Sequence, residues 1–500
     1  MDPLTAFPAL ILTPLLASPI IYLVGRIMAR SGKMTPVVGW ITTFILTVTL
    51  VPLFFISQAY SNQISIKLLF GTIALRVDGI GVLLAFTVLV LSSLVALFSR
   101  QYMDGEPGEE KYYALLVAMT GTIIGLGFAT DLFNLWVWFE AMAISSVFLV
   151  AFYRSQPGSL EAGLKYLVQS AVGSVFVLIG IALIFAATGH TDLAKIQAAI
   201  NSPTPILLTA GVCFVIGFGV KTAIVPLHTW LPDAHSQAPS GISAMLSGIV
   251  IEAGLVALLR TLGMLAISAS LWGVILLSAS GLNMLLGNLL ALRQTEVKRI
   301  LAFSSISHVG YMLLGFGAAL ITGSLDGAAG GFFHLINHAL MKGLAFLSAG
   351  VLLYAIHLSH DRHTPLTIDD LNGASRHYPL PALAFSIAVF ALGGLPPLSG
   401  FMSKWQIFVA GFSGQNPWLM VLVLFAALNS VLSLAYYAPL VNRLYRNQCA
   451  GEEKGDVPIS WTLLAPLVLM TLAVIIIGFY PALLNDLTYP AAQDFLKIIR

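Results

Sequence analysis

Five side chains that water would normally claim lie inside long apolar runs: Glu140, Lys221, Glu252, Lys342 and Lys404. His334 and His338 share one of those runs with Lys342. A charge inside a bilayer costs at least about 2.5–3.5 kcal/mol on insertion scales, so such residues tend to face a bundle interior, pair with one another and mark an ion pathway. Histidine exchanges protons near neutral pH, and a lysine held away from water gives up its proton more readily unless an acid stands beside it. The spacing of four puts His334, His338 and Lys342 on one helical face. Lys221 lies five residues before Pro226, and Lys404 follows Gly393-Gly394-Leu395-Pro396-Pro397. Proline removes a backbone donor and breaks a helix, and broken helices line hydrated cavities in transporters. Two lysines beside two breaks form a weak internal symmetry. A row of lysines and histidines with water between them could pass protons along the membrane plane, with Glu140 tuning a neighbouring lysine.

Each residue also has a structural alternative. Glu140 could hold a buried hydrogen bond, and Lys221 and Lys404 could snorkel from helix ends. His334, His338 and Lys342 could tie their helix to its neighbours. Glu252 could be interfacial, with Arg260 eight residues on. His228, Asp233 and His235 read as part of a loop rich in Pro and Ser, with turn formation as the alternative role. Asp131 reads as a helix N-cap. Arg293, Lys298 and Arg299 are explained by the charge bias of cytoplasmic loops.

The elements that must position these groups follow from composition. Hydrophobic residues make up 58% of the 500 and charged residues 9%, where soluble domains carry about 25%. Such a chain cannot cover itself with polar surface, so its solvent is mostly lipid. The net charge of +2 gives no footing for nucleic acid. Cys213 and Cys449 suggest neither a disulfide framework nor a metal site. There is no phosphate-binding glycine loop, dinucleotide fingerprint or cysteine cluster, so no cofactor is expected and redox chemistry would sit on a partner. The first apolar run is preceded only by Asp2, which argues for a retained helix rather than a cleaved signal.

At about 20 residues per crossing, an all-α polytopic protein with fourteen spans is expected, roughly at 7–25, 37–56, 79–98, 112–130, 132–153, 164–187, 205–226, 241–260, 265–290, 300–320, 329–355, 382–411, 418–442 and 461–483. Ile64–Val77 alternates and reads as a surface hairpin turning at Gly71-Thr72. Loops after odd-numbered spans hold fifteen Lys and Arg, including Lys33, Arg362 and Lys454. Loops after even-numbered spans hold four: Lys67, Arg76, Lys195 and Arg260. This bias puts the odd loops in the cytoplasm and both termini outside, with Lys497 and Arg500 in a short outer tail.

On these residues the chain resembles the antiporter-like subunits of respiratory complex I, membrane-bound hydrogenases and Mrp-type cation/proton antiporters. The resemblance rests on Lys221-Thr-Ala-Ile-Val-Pro-Leu-His-Thr-Trp-Leu-Pro-Asp-Ala-His235, with Ala238-Pro-Ser and Ser243-Ala-Met-Leu-Ser-Gly248 after it. It rests equally on Val297-Lys-Arg-Ile-Leu-Ala-Phe-Ser-Ser-Ile-Ser-His-Val-Gly-Tyr311, on His334-Leu-Ile-Asn-His-Ala-Leu-Met-Lys342 and on Gly394-Leu-Pro-Pro-Leu-Ser-Gly-Phe-Met-Ser-Lys404. It implies two inverted five-helix repeats, at 112–260 and 261–442, between an N-terminal part at 1–111 and a C-terminal part at 443–500. It implies broken spans seven and twelve, and a relay of Glu140, Lys221, His334, His338, Lys342 and Lys404. One departure stands out. Where many members carry a base, in the context Ser-Gly-x-x-x-Lys, this chain reads Ser247-Gly-Ile-Val-Ile-Glu252. The relay would then run through water and His308, or Glu252 would hold a cation. The lysine ending the span-twelve motif argues against the complex I M type, and the short tail against the L type. The Mrp D subunit of a Na⁺/H⁺ antiporter is therefore the expected subtype, with a redox-driven pump of complex I or hydrogenase type as the alternative. Partners are other membrane subunits, H⁺ and Na⁺.

Overall fold

The computed structural model describes residues 2–30, 37–70, 73–357, 364–446 and 458–499. Lys33, Arg362, Cys449, Lys454, Arg500 and the Gly71-Thr72 turn lie outside the described residues. Each long apolar run folds as a helix, because in lipid the backbone must satisfy its own hydrogen bonds. The helices are α1 (Pro3–Arg30), α2 (Val37–Ser61), α3 (Gly79–Tyr102), α4 (Glu109–Phe128), α5 (Leu132–Val150), α6 (Pro157–Thr188), α7 (Pro205–Thr222) and α8 (Ser240–Met264). They continue with α9 (Ala266–Ala291), α10 (Val297–Thr322), α11 (Leu325–Ile356), α12 (Pro379–Gly393), α13 (Ser399–Ser413), α14 (Pro417–Tyr445) and α15 (Trp461–Phe479). Among the described residues thirteen are long and apolar enough to cross a membrane. The fourteenth expected span is the pair α12 and α13, separated by a break. The hairpin forms as β1 (Lys67–Phe70) against β2 (Ile73–Arg76), antiparallel, with Lys67 opposite Arg76.

The chain is layered from a dry centre to a lipid-facing rim. α8 and α10 are buried on all sides and α11 nearly so, whereas only about a third of the residues in the apolar stretches of α1, α6 and α14 are buried. Between apolar helices lipid offers no hydrophobic drive, so close packing of small residues must hold them. The seam between α9 and α10 shows this. A Cβ on Gly287 would sit 2.7 Å from the Ser307 nitrogen, and one on Gly310 would sit 2.8 Å from the Ser280 carbonyl oxygen.

Both breaks fall beside the expected prolines. α7 ends at Thr222, with Ala223 at φ +58°. α12 ends at Gly393, with Gly394 at φ +82°, a left-handed position that glycine takes at least cost. Asn283 on α9 holds the first break: its Oδ1 accepts from the Val225 nitrogen at 2.8 Å and its Nδ2 donates to the Ala223 and Ile306 carbonyls at 3.2 Å.

Three expectations are corrected. The segment holding Asp233 and His235 is a short helix, Trp230–Gln237, not a loop. Arg260 is not a loop cation. It is buried on α8, forms two hydrogen bonds to the Asp78 carboxylate at 2.8 and 2.9 Å, and also donates to the Gly127 carbonyl. Lys298 is also buried, donating to the Ala238 carbonyl at 2.8 Å, so loop charge bias does not explain it. Beyond these, the C-terminal tail folds as the amphipathic helix α16 (Asn485–Ile499), which packs on α3, α8 and α11. Asp494 anchors it, accepting from the Gly79 nitrogen at 2.8 Å and from Tyr60. Asp131 caps α5, accepting from Phe133 and Asn134 nitrogens at 2.9 and 3.0 Å.

Candidate functional site

The stranded polar residues fall into three groups across the buried middle of the bundle. Lys221, on the last turn of α7, is 1% exposed. Its ammonium donates to the Tyr166 hydroxyl at 2.6 Å and lies 4.4 Å from that ring's centroid. Ser170, one turn along α6 from Tyr166, is 3.4 Å away. Glu140, on α5, lies within electrostatic reach of both Lys221 and Tyr166. No direct ion pair joins Glu140 to Lys221 among the described residues, and the Glu140 Oε1 is buried without a hydrogen-bond partner.

The second group is central. Residues Leu246–Val250 of α8 form a π-helical turn, a feature frequent at functional sites. Its distortion precedes Glu252, which lies two residues from Gly254. A Cβ on Gly254 would meet the Lys221 Cβ at 3.0 Å, so α8 runs directly past the first lysine. Glu252 Oε1 is 2.8 Å from His338 Nδ1, and both side chains are fully enclosed. Glu252 Oε2 and His338 Nε2 have no partner, and such groups are costly to bury dry.

The third group continues from α11 through α10 to α13. His308 on α10 stacks on His334, with ring centroids 5.2 Å apart, and lies tilted against His338 at 5.3 Å. His308 Nδ1 is 3.0 Å from His334 Nε2, and His334 Nδ1 is 2.9 Å from the Ser403 hydroxyl. Lys404 follows Ser403. Its ammonium donates to the Leu392 carbonyl and the Ser430 hydroxyl, each at 2.8 Å, and lies 4.6 Å from the Tyr311 ring centroid. Lys342 turns to α10 instead, donating to the Leu301 carbonyl at 2.7 Å and to the Ser304 hydroxyl.

The structure thus joins Glu252 to His338, His334 to Ser403 beside Lys404, and Lys221 to a tyrosine. It leaves Glu140 unpaired and Lys342 on a side branch. Every connected group can both donate and accept, or can change its protonation, so each of these links can pass a proton by exchange of partners. Reading the sequence alone missed Tyr166, Ser170, Tyr311, Ser403 and Ser430. Three of them carried a signal: Tyr166 and Ser170 are polar at i and i+4 in an apolar span, and Tyr311 lies three residues after His308.

Comparison with known proteins identifies the family to which the fold belongs. Residues 129–430 match the family model described as NADH:quinone oxidoreductase/Mrp antiporter, TM, and residues 64–113 match that of the NADH-ubiquinone oxidoreductase (complex I) chain 5 N-terminus. F(420)H(2) dehydrogenase subunit N of Methanosarcina mazei is 32% identical over 426 residues, covering 84% of each chain. A chain of the membrane-bound sulfane sulfur reductase, an archaeal respiratory membrane complex, superposes with a TM-score of 0.87 at 29% identity, covering 98% of this chain and 97% of that one. A chain of the Mrp complex from Dietzia sp. shares the fold, with a TM-score of 0.85 at 21% identity and full coverage of both. The length of these matches, and their span over every residue of the polar row, place the chain in the NADH:quinone oxidoreductase/Mrp antiporter family of transmembrane subunits.

Proposed function

We propose that this chain is a proton-translocating subunit of a multisubunit membrane complex whose energy comes from redox chemistry on its partners. The observation that carries the reading is the enclosed Glu252–His338 hydrogen bond, with the hydrogen-bonded His308–His334–Ser403 chain beside it, the His308 ring centroid 5.3 Å from that of His338. An acid bonded to one imidazole, with two more imidazole rings centred 5.3 and 6.4 Å from it at the dry centre of a bundle, supports charge transfer. Glu140 and Lys221 form the switchable pair, Glu252 and His338 the junction, and Lys404 the far terminus, while Lys342 acts as a side store. Glu252 replaces the usual base with an acid that already holds an imidazole, so the junction keeps one exchangeable proton. The two units at 112–260 and 261–442 each supply one broken helix and one terminal lysine. Both termini lie outside a plasma-type membrane, an orientation supported by the loop bias even after Arg260 and Lys298 are removed from it.

The redox reading is favoured because the relative above 30% identity and the reductase chain are both parts of redox enzymes by name. The Mrp-type Na⁺/H⁺ antiporter keeps the support of a full-length likeness in fold. Purifying the native complex in mild detergent and assaying iron and flavin separates them: stoichiometric iron supports the redox pump, and a set of small subunits with neither supports the antiporter. Within either complex, Glu252→Gln is expected to lower proton translocation in proteoliposomes about tenfold. An unchanged rate in an assembled variant would remove Glu252 from the relay.

A further inference from the structure

Away from the polar row, the ends of α1, α4 and α5 enclose a groove of about 960 Å³. α4 forms its back wall, packing against both α1 and α5, which make no comparable contact with each other. The groove therefore opens sideways, toward lipid. Its floor is apolar: Pro19, Leu115 and Phe148 line it, and Phe148 is 56% exposed on the outer surface of the bundle. Its rim is charged, with Arg26, Lys111, Arg154, Glu106 and Glu110. Arg26 stands two turns beyond Pro19 on α1, so rim and floor are roughly 10 Å apart along the helix axis. That is the layout of a membrane interface, polar above and hydrocarbon below.

The charges do not cancel within the protein. Arg26 and Glu110 face each other at 3.7 Å. Among the described residues Lys111, Arg154 and Glu106 make no ion pair and no side-chain hydrogen bond. Two free cations and one free carboxylate at one rim ask for a headgroup with a phosphate and a hydrogen-bearing ammonium. Basic pockets between membrane helices on the face with the basic loops hold lipid phosphates by the same chemistry. We propose that this groove binds a phospholipid with an aminoethyl-phosphate headgroup. Its phosphate lies between Lys111 and Arg154, its ammonium meets Glu106, and its acyl chains run over Leu115 and Phe148. Phosphatidylglycerol would offer Glu106 hydroxyl donors but no counter-charge, and the quaternary amine of phosphatidylcholine has no hydrogen to donate to it.

The test is native mass spectrometry of the intact complex, delipidated by detergent exchange and titrated with dioleoyl phosphatidylethanolamine, phosphatidylglycerol or phosphatidylcholine. The ethanolamine lipid is expected to bind first, at one copy per copy of this chain. Lys111→Ala with Arg154→Ala should weaken that binding about 30-fold, from the loss of two interfacial cation contacts. Glu106→Gln should abolish the preference for ethanolamine over glycerol. Equal binding of the three lipids to the unaltered complex would overturn the proposal, as would a double variant that retains the lipid. Should the double variant fail to assemble, the competition on the unaltered complex decides alone.

Discussion

Lys221 and Lys404 each end a polar row beside a helix break, yet they are held differently. Lys221 leans on the face and hydroxyl of Tyr166, with the unpaired acid Glu140 in the same region. Lys404 also lies over a tyrosine ring, but donates to the Leu392 carbonyl at the C-terminal end of α12. A helix C-terminus carries roughly half a negative charge fixed in the backbone. The far lysine thus has a permanent, immobile counter-charge, and the near lysine has one on a side chain that can swing or be neutralised. Only the near pair can act as a switch. The framework differs in the same sense: the first half is pinned by the buried Asp78–Arg260 ion pair, whereas the second is pinned by neutral amides, Asn288 to Asn429 and Tyr436.

The largest effect should come from that framework. Arg260→Met strands the Asp78 carboxylate and is expected to cost about 3–5 kcal/mol. Asn288→Ala should cost only about 1–2 kcal/mol, as its partners are neutral. Thermal unfolding of the purified complex, or its yield on a native gel, ranks the two. Equal losses would mean that the ion pair contributes no more than an amide clamp.

The switch comes next. Glu140→Gln keeps shape and removes charge, and should lower proton translocation about 100-fold in an assembled complex. Ser430→Ala removes one of two fixed contacts to Lys404 and should cost no more than about threefold, because the Leu392 carbonyl remains. If both variants lose activity alike, the distinction between a mobile and a fixed counter-charge falls.

Much of this was legible beforehand because lipid makes sequence speak plainly. Apolar length gave the crossings, and the prolines at 226 and 396–397 marked both breaks. The spacing of His334, His338 and Lys342 announced a shared face, and all three do turn toward α10. The partners were not legible. That Glu252 meets His338 depends on how α8 packs on α11, through a π-helical turn that no periodicity announces. Arg260 and Lys298 misled because a charge near a span's end looks the same whether it reaches water or turns inward to Asp78 or the Ala238 carbonyl. The helix of the tail, Asn485–Ile499, was not legible because it is too polar overall to read as a span.

The smallest effect compares two acids at the rim where the halves meet. Asp233, from the first half, lies between Lys165 at 2.9 Å and Arg299. Glu296, just before α10, has Arg299 at 3.3 Å and the Ser236 hydroxyl at 3.0 Å, but its Oε1 is buried without a partner. Burial is the dominant influence and raises the Glu296 carboxyl above its ordinary range, against the pull of Ser236, Lys298 and Arg299. A raised acid binds its proton more tightly in the folded chain than in the unfolded one. Below the ordinary carboxylate range both states are protonated and nothing is lost; as pH rises toward the raised value the unfolded chain ionises first, and the folded state loses stability. Glu296→Gln should remove that loss. Its melting temperature should match the unaltered complex near pH 4 and exceed it by about 1 °C near pH 7, the partly screened ion pair with Arg299 taking back some of the gain. A variant that melts lower at pH 7 than at pH 4, relative to the unaltered complex, would show that Glu296 works as an ion-pair partner like Asp233, and the two rims would be alike.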